Sequence, residues 1–281
     1  MLRRSLVLAV VAAALVAVPW TAAARRATPS RIVSLSPTLT EDLFAVGAGS
    51  QVVAVDNQSD YPKQAPHTDL SGYTPNVEAI AGYKPDLVVI SYQGPWTAQL
   101  QKLGIQVVYE PAADNLAQAY EEIRDLGRLT GHEAQATKVV HGMETQLKKI
   151  VQSVPKAQRR HVTLYHELDQ TYYSATSATF IGRIYKLFGF RDIADAADSA
   201  HTGYPQLSAE YIVSANPQII VLADSKCCGQ TPATVAARPG WGGIAAVKNH
   251  RVVSVDDSVA SRWGPRVVQF ARAVAAIAKK K

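Results

Sequence analysis

The 281-residue sequence lacks the motifs on which common catalytic and cofactor sites are built. No glycine-rich phosphate loop precedes a predicted helix, and there is no nucleophile elbow. The histidines are not spaced as a metal-binding set. His132 and His141 would lie on opposite sides of one helix, and His161 and His166 on opposite faces of one strand. The sequence therefore predicts neither a catalytic site nor a metal site.

Cysteine is almost absent, and the two cysteines, Cys227 and Cys228, are adjacent. Neighbouring α-carbons lie about 3.8 Å apart, below the usual disulfide range, so a bridge between them would strain the peptide. The pair is interpreted either as two thiols in a loop or, in an oxidising compartment, as a vicinal disulfide, and either could border a ligand. Thiol redox catalysis is less favoured, because the spacer of a Cys-x-x-Cys site is missing.

The amino-terminal residues predict export. Arg3 and Arg4 precede an apolar run from Leu6 to Trp20, and small residues follow it, which is the order of a secretory signal. The run is short for a membrane span, so we predict cleavage of residues 1–24 rather than anchoring. No cysteine follows the run to receive a lipid, so a soluble exported protein is expected. The formal charge of +6 is too modest to indicate nucleic-acid binding.

A repeated segment organises the rest of the chain. Residues 76–91 and 207–223 both read as a short helix, a proline and an apolar strand. Aligning Glu78 with Glu210 also aligns the prolines, each of which should end its helix and push the preceding residue towards extended geometry. The apolar runs after the prolines are typical of strands covered on both faces of a parallel sheet. Two such units predict two similar lobes.

The predicted elements alternate between strands and helices, as in right-handed βαβ crossovers. In the middle, residues 132–154 form one amphipathic helix of roughly 35 Å, longer than a helix that covers a sheet. We interpret it as a strut and as the only crossing between the lobes. The predicted fold is α/β, with two similar Rossmann-like lobes joined by one long α-helix. The predicted parts are a signal peptide (1–24), an N-terminal lobe (25–130), a connecting helix (131–157) and a C-terminal lobe (158–281).

Aromatic residues lie largely in or beside the predicted loops after strands. In open α/β sheets, ligands bind beyond the carboxyl ends of the strands, where tyrosine and tryptophan offer a flat apolar face with a polar tip. The predicted aromatic ligand contacts are Tyr61, Tyr73, Tyr92, Trp96, Tyr173, Tyr204 and Trp263. Tyr92 and Tyr204 are favoured because each lies beside a copy of the repeat, and we expect them to face each other across a cleft.

Several segments, in their order and spacing, resemble one protein family. They are Ser-Pro-Thr-Leu-Thr-Glu at 36–41, Ser-Asp-Tyr-Pro at 59–62, the two repeats, and Leu-Thr-Gly at 129–131 before the long helix. This pattern is similar to that of the helical-backbone (class III) periplasmic substrate-binding proteins of ABC importers, which bind ferric siderophores, haem or cobalamin. The segment 203–210 is especially similar to the cobalamin-binding members, in which an aromatic residue at the position of Tyr204 packs on the ligand. The cysteine loop is not part of that pattern.

The resemblance implies a secreted, non-enzymatic receptor without a cofactor, which captures a metal chelate between its lobes. It also implies that Glu78 and Glu210, one on each lobe, dock onto arginines of a permease dimer. The alternative for these two glutamates is a favourable interaction with a helix dipole at the second helical position. A different class, an exported enzyme or thiol-redox protein built on the same lobes, stays open.

A ferric siderophore ranks first among the expected ligands. Arginine guanidinium groups could pair with a negatively charged chelate, and the candidates are Arg183, Arg238, Arg262 and Arg266. Cobalamin ranks second and haem third, with His166 or Tyr173 as the axial ligand expected for haem.

Overall fold

The computed structural model describes residues 28–159 and 162–279, so the predicted signal peptide lies outside the described residues. Within the described residues, no helix is both long enough and apolar enough to cross a membrane. The helices and strands follow in the order β1 (Ile32–Leu35), α1 (Pro37–Ala45), β2 (Val52–Val55), α2 (Val77–Gly82), β3 (Leu87–Ile90), α3 (Pro95–Lys102), β4 (Gln106–Tyr109), α4 (Leu116–Thr130), α5 (Glu133–Gln152), β5 (Val162–Glu167), α6 (Phe180–Lys186), β6 (Phe190–Asp192), α7 (Ala209–Ala215), β7 (Ile219–Leu222), α8 (Ser225–Cys228), α9 (Pro232–Ala236), α10 (Ala245–Lys248), β8 (Val252–Ser254), α11 (Asp257–Ala260) and α12 (Val267–Lys279).

The strands form two parallel four-stranded sheets with equivalent topology. The N-terminal sheet has the order β2-β1-β3-β4 and the C-terminal sheet the order β6-β5-β7-β8, so the first strand of each lobe lies between its second and third strands. Every residue of β1, β3 and β7 is buried, which explains the unbroken apolar runs in the sequence. The prediction of two similar α/β lobes joined by one long helix is confirmed.

The repeated segment supplies the third strand of each sheet and the helix before it. Asn76 and Ser208 cap these helices, because each side chain accepts a hydrogen bond from the N–H three residues on, at 2.8 and 3.1 Å. The extended geometry predicted before the two prolines is wrong. Lys84 and Asn216 instead adopt left-handed backbone conformations, with φ of 49° and 47°. The same turn therefore reverses the chain from helix to strand in both lobes.

Helix α5 contributes one buried face to a core that both lobes share. It packs against α4 of the N-terminal lobe and α12 of the C-terminal lobe. Its buried residues Val140, Met143 and Leu147 belong to one apolar cluster that extends from β1 to α12. Gly127 in α4 makes close packing possible, since a Cβ there would collide with that of Ala136 in α5. The lobes are thus joined by packing as well as by the chain.

Residues 262–266, just before α12, form a second, non-covalent connection between the lobes, which we call the brace. Arg262 donates a hydrogen bond to Glu41 of α1 at 2.9 Å, and Arg266 donates to the same carboxylate through Nε at 2.8 Å. Gly264 allows the close approach, because a Cβ there would lie 2.9 Å from Asp42 Oδ1. The expectation that the long helix is the only link between the lobes is therefore incomplete.

Candidate ligand cleft

The carboxyl ends of both sheets face a cavity of about 440 Å³ between the lobes. Gln58 and Asp60, in the loop after β2, line it from the N-terminal lobe, and the loops after β5, β7 and β8 line it from the C-terminal lobe. Ligand pockets in proteins commonly measure about 300–1,000 Å³. The cavity is therefore large enough for a small ligand or for part of a larger one, and it occupies the place where open α/β sheets bind ligands.

The cavity floor belongs to the C-terminal lobe. His166 and Leu168 are two residues apart, so they lie on the same face of β5, and Ala223 and Ala260 line the cavity beside them. The His166 side chain is fully buried, with Nδ1 2.8 Å from the Tyr185 hydroxyl oxygen. Burial lowers the pKa of His166 to about 3. The imidazole is consequently neutral near pH 7, and the floor carries no charge.

One wall of the cavity carries an exposed disulfide. Cys227 and Cys228 are bonded to each other within the one-turn helix α8, and Cys227 lines the cavity. The Asp257 carboxylate accepts hydrogen bonds from the N–H groups of Lys226 and Cys227, at 2.8 and 2.9 Å. Of the two forms that the sequence left open, the structure has the disulfide. It also places Cys227 at the cavity, with Cys228 bonded to it.

The cations that line the cavity are already paired with carboxylates. Arg262 donates to Glu41 at 2.9 Å and to Asp60 at 2.8 Å, and the Lys226 ammonium is ion-paired with Asp256. Within the part of the chain that the structure describes, neither cation of the cavity lining lacks a carboxylate partner. The cleft is therefore not preorganised to neutralise an anionic ligand.

Two further arginines that the sequence assigned to ligand charge lie elsewhere. Arg238 binds both carboxylate oxygens of Glu167, at 2.6 and 2.7 Å, and its guanidinium lies 4.5 Å from the Trp241 ring centroid. Arg183 is exposed on α6, where its Nε donates to the Ala178 carbonyl oxygen at 3.1 Å. Neither lines the cleft cavity. Both arginines therefore lie outside the cavity, and their pairing with a ligand stays a prediction.

Tyr61 and Arg266 lie beside the cleft, at a neighbouring cavity of about 420 Å³. The guanidinium carbon of Arg266 is 4.3 Å from the Tyr61 ring centroid, and Glu41 holds the same guanidinium through two hydrogen bonds. The ring of Tyr61 is thus stacked against the brace. A ligand would have to displace Arg266 to use that face of the ring.

Four of the predicted tyrosines are exposed at the strand-end edge, outside the cavity. In the N-terminal lobe, the ring centroids of Tyr73 and Tyr92 are 6.3 Å apart. In the C-terminal lobe, Tyr173 forms a bridge with Gln206, which brings its loop beside that of Tyr204. Both lobes therefore carry tyrosine faces that are free to meet a ligand extending beyond the cavity.

The loops of the two lobes also approach each other near Tyr204. Burial raises the pKa of the Tyr204 hydroxyl, a hydrogen bond with Thr179 lowers it, and the negative charge of Asp114 raises it further. Asp114 belongs to the loop after β4 in the opposite lobe. The charge of Asp114 thus acts on Tyr204 of the other lobe, whereas Arg262 and Asp60 join the two lobes by a hydrogen bond.

The two predicted tryptophans do not present a free face to the cleft. Trp96 is only 9% exposed and packs in the core of the N-terminal lobe at the start of α3. Trp263 is half-buried in the brace, and its indole N–H donates to both carboxylate oxygens of Glu122, at 3.1 and 2.9 Å. Trp96 thus packs in the core and Trp263 in the brace, neither lines the cavity, and their contact with a ligand stays a prediction.

Beneath Trp263 lies a buried pair of carboxyl groups, Glu122 and Asp42. Burial raises the pKa of Glu122 to about 7, the hydrogen bonds with Asp42 and Trp263 oppose this rise, and the charge of Glu110 adds to it. Burial and the negative charge of Glu122 raise the pKa of Asp42 well above its usual range. Both carboxyl groups of this pair, which lies directly under the brace, are therefore harder to ionise than exposed carboxyl groups.

The sequence reading missed the carboxylates of the brace. The signal was present in α1, where Glu41 and Asp42 occupy positions on a helix whose neighbouring side chains are apolar. A buried carboxylate needs partners, and those of Glu41 are Arg262 and Arg266, more than 200 residues away in the sequence. Only the folded structure brings them together.

Glu78 and Glu210 occupy equivalent exposed positions, each the second residue of its helix, α2 or α7. One lies on each lobe. The geometry therefore offers one exposed carboxylate per lobe at matching positions.

Two parallel-sheet lobes, a long connecting helix and a cleft at the strand ends define a two-lobed ligand-binding protein. A family model described as periplasmic binding protein matches residues 32–259, and the chain belongs to this family. This membership confirms the resemblance found in the sequence.

The similar proteins include two curated relatives and a solved structure. An uncharacterized ABC transporter substrate-binding lipoprotein, YvrC, from Bacillus subtilis is 33% identical, over 86% of this chain and 77% of that protein. A cobalamin-binding protein from Halobacterium salinarum is 30% identical, over 86% of this chain and 67% of that protein. The crystal structure of a possible iron-binding (periplasmic solute-binding) protein from Staphylococcus epidermidis superposes with a TM-score of 0.76 at 27% identity, covering 90% of this chain and all of the other.

Proposed function

We propose that this protein is the exported substrate-binding component of an ABC importer, and that it binds a corrinoid such as cobalamin in the cleft between its lobes. The observation that carries the ligand choice is the paired state of the cations in the cavity, Lys226 and Arg262. A ligand with little net charge leaves these pairs intact. The cobalamin-binding relative from Halobacterium salinarum supports the same choice.

The chemistry of the cleft suits an amide-bearing macrocycle. A corrinoid has a conjugated ring with neutral amide side chains, so it needs apolar faces and hydrogen-bonding groups rather than a cluster of positive charge. The exposed rings of Tyr92 and Tyr204 offer such faces, and their hydroxyl groups can donate to or accept from amides. The cavity of about 440 Å³ would hold part of the ligand, and the tyrosines would cover the portion that extends along the cleft.

A ferric siderophore is the second candidate. It ranks first in the sequence analysis, and the similar structure from Staphylococcus epidermidis is described as possibly iron-binding. An anionic chelate, however, would gain strong pairing only if it displaced Glu41 or Asp60 from Arg262. Haem ranks third. Of its two axial candidates, Tyr173 is 41% exposed at the edge of the cleft, and His166 is buried in the floor of the cavity.

Titration of the purified protein with three ligands tests the ligand choice. We expect cyanocobalamin to bind more tightly than haemin or ferric enterobactin, measured by calorimetry and by absorbance. Because no ion pair with the ligand is involved, its dissociation constant should change little between 50 and 500 mM salt. Tighter binding of the anionic ferric chelate, with affinity that falls as salt rises, would reject the corrinoid assignment in favour of the siderophore.

The docking proposal rests on two exposed carboxylates at matching positions of the lobes, Glu78 and Glu210. A permease dimer offers two equivalent basic pockets, and one rigid two-lobed protein can place Glu78 in one and Glu210 in the other. Each exposed ion pair contributes under about 1 kcal/mol, but the first contact raises the effective concentration of the second. Replacement of both by arginine would add repulsion at each pocket.

We therefore expect Glu78→Arg with Glu210→Arg to leave ligand affinity unchanged but to abolish stimulation of the importer ATPase in proteoliposomes, each single change having a smaller effect. The matched control is Glu133→Arg, which reverses an exposed first-turn glutamate of the connecting helix α5. Normal stimulation by the double variant would show that the two glutamates only complement helix dipoles.

A further inference from the structure

The disulfide in the cleft wall has no evident role in stability. A cross-link stabilises a fold mainly by shortening the loop that stays free in the unfolded chain, and its effect grows with loop length. Cys227 and Cys228 are adjacent, so their bond closes almost no loop. Both residues are also exposed, outside the apolar core. The fold therefore gains little from this bond, which joins Cys228 to Cys227, the cysteine that lines the ligand cavity.

The turn that carries the disulfide is firmly positioned. The Asp224 carbonyl oxygen accepts a hydrogen bond from the Cys228 N–H at 3.2 Å, and Asp257 holds the N–H groups of Lys226 and Cys227. These hydrogen bonds do not involve either sulfur as the acceptor. The backbone thus fixes α8 against the loop after β8, and the sulfur atoms are left as an exposed, rigid apolar surface.

The same cavity contains a second feature that points to a ligand. His166 lines it, is fully buried, and has no hydrogen-bond partner for Nε2 among the residues that the structure describes. Its other ring nitrogen is 2.8 Å from the Tyr185 hydroxyl oxygen, whose proton has no other acceptor in the described structure. Donation from Tyr185 to Nδ1 leaves the neutral ring with its proton on Nε2. An unpaired donor of this kind is costly unless something binds it.

We propose that the Cys227–Cys228 disulfide is a ligand-contact surface, which packs against a conjugated ring of the bound chelate while His166 donates to an oxygen of the same ligand. This inference rests on the proposed function and identifies the part of the ligand that the C-terminal lobe recognises. Divalent sulfur is polarizable and makes favourable contacts with flat ring systems. An oxidised pair suits this task better than two thiols, because it is apolar and has no free rotation about the S–S bond.

The test compares two replacements of the pair. Cys227→Ser with Cys228→Ser removes the sulfur atoms and retains the backbone hydrogen bonds. Cys227→Met with Cys228→Ala removes the disulfide but keeps one polarizable sulfur at the position that lines the cavity. The probes are cyanocobalamin, haemin and ferric enterobactin, all of which contain conjugated rings. Intact mass before and after alkylation establishes that the purified wild-type protein is oxidised, since it should be lighter than the reduced form by two hydrogen atoms and should not react with the alkylating reagent.

We expect the serine variant to bind the preferred probe about 2- to 10-fold more weakly than wild type, and the methionine variant to recover part of the loss. Thermal unfolding should be nearly unchanged in both. His166→Leu should weaken binding of the same probe by about 5-fold or more, with His141→Leu on the exposed face of α5 as the matched histidine control. His166→Gln keeps a hydrogen-bond donor, so its affinity for the probe should fall less. This variant also tests the contact if the leucine variant folds poorly.

The outcomes separate this inference from the proposed function. If cyanocobalamin binds equally well to wild type and to the serine variant, the disulfide contact is overturned and the corrinoid assignment stands. If haemin or ferric enterobactin is the preferred probe and its binding depends on the sulfur atoms, the corrinoid assignment fails and the contact stands. If none of the three probes binds, both the corrinoid assignment and the disulfide contact are overturned. If the wild-type protein has two free thiols that can be alkylated, the disulfide contact alone is overturned.

Discussion

The brace gives a quantitative prediction about the link between the lobes. Glu41 is buried and accepts hydrogen bonds from both Arg262 and Arg266, whose side chains are only 10% and 11% exposed. Removal of one partner from a buried ion pair typically costs about 3–5 kcal/mol, because the remaining charge stays buried without compensation. Glu41→Gln keeps the shape of the side chain and one hydrogen-bond acceptor, so the free energy of unfolding should fall by about 3 kcal/mol, the lower end of this range. For a chain of this size, that corresponds to a fall in melting temperature of roughly 6–12 °C.

Asp60→Asn is the matched control. Asp60 also binds Arg262, at 2.8 Å, but its side chain is 63% exposed. Both substitutions replace a carboxylate by an amide at Arg262, but Glu41 is buried and also pairs with Arg266, whereas Asp60 is exposed. Exposed ion pairs are worth under about 1 kcal/mol, and the melting temperature should fall by no more than about 4 °C.

Urea unfolding followed by circular dichroism and by tryptophan fluorescence measures both changes, and the brace residue Trp263 makes the fluorescence sensitive to this region. Hydrogen exchange should increase around residues 258–266 in Glu41→Gln, because the segment loses its anchor in the opposite lobe. Equal losses of stability in the two variants would refute the argument from burial. A loss without any change in exchange near the brace would show that Glu41 stabilises α1 alone.

Three further substitutions test the carboxyl pair and the tyrosine faces. The pKa of Glu122 is raised from 4.5 to about 7, so the stability that its protonated form contributes is full below pH 4.5 and is lost as pH rises through about 7. Glu122→Gln cannot ionise, and its free energy of unfolding should fall less than that of wild type between pH 6 and 8; parallel profiles would contradict the assigned protonation. Tyr204→Ala and Tyr92→Ala should each weaken cyanocobalamin binding about 2- to 12-fold, which is the range of one aromatic contact, and leave the melting temperature nearly unchanged. Lost stability with unaltered affinity would instead place these rings in the core.

Much of the fold could be predicted because its signals are local. Apolar runs identified the buried strands β3 and β7, and side-chain caps marked the helices before them. The short strand β6 was missed, since three residues with one exposed side chain give almost no periodic signal. The geometry before Pro85 and Pro217 was predicted wrongly, because the need to reverse the chain within one residue outweighs the local preference for extended backbone.

The cleft was harder to predict because its pattern depends on distant partners. Arginines after strands read as free cations in the sequence, whereas Arg262 meets Glu41 across a separation of 221 residues. Trp96 follows a strand as a ligand-contacting residue would, but it turns into the core beside Leu100. The position of a residue in a loop after a strand thus predicts where its backbone lies. It does not predict whether the side chain faces the cleft, packs in the core or pairs with another charge.

The brace also limits how the lobes can move when a ligand enters. If the lobes separated at that end, the hydrogen bond from Arg266 to Glu41 and the one from Trp263 to Glu122 would break. Both carboxyl groups are buried, and no interaction of equal strength would replace these bonds. At the other end, Asp114 and Tyr204 approach each other from two loops, and Tyr204 is 44% exposed, so separation there costs less. Any opening should therefore be small and should pivot about the brace, with the tyrosine end moving most. The exposed carboxylates of Glu78 and Glu210, one on each lobe, would then change their spacing as the cleft closes.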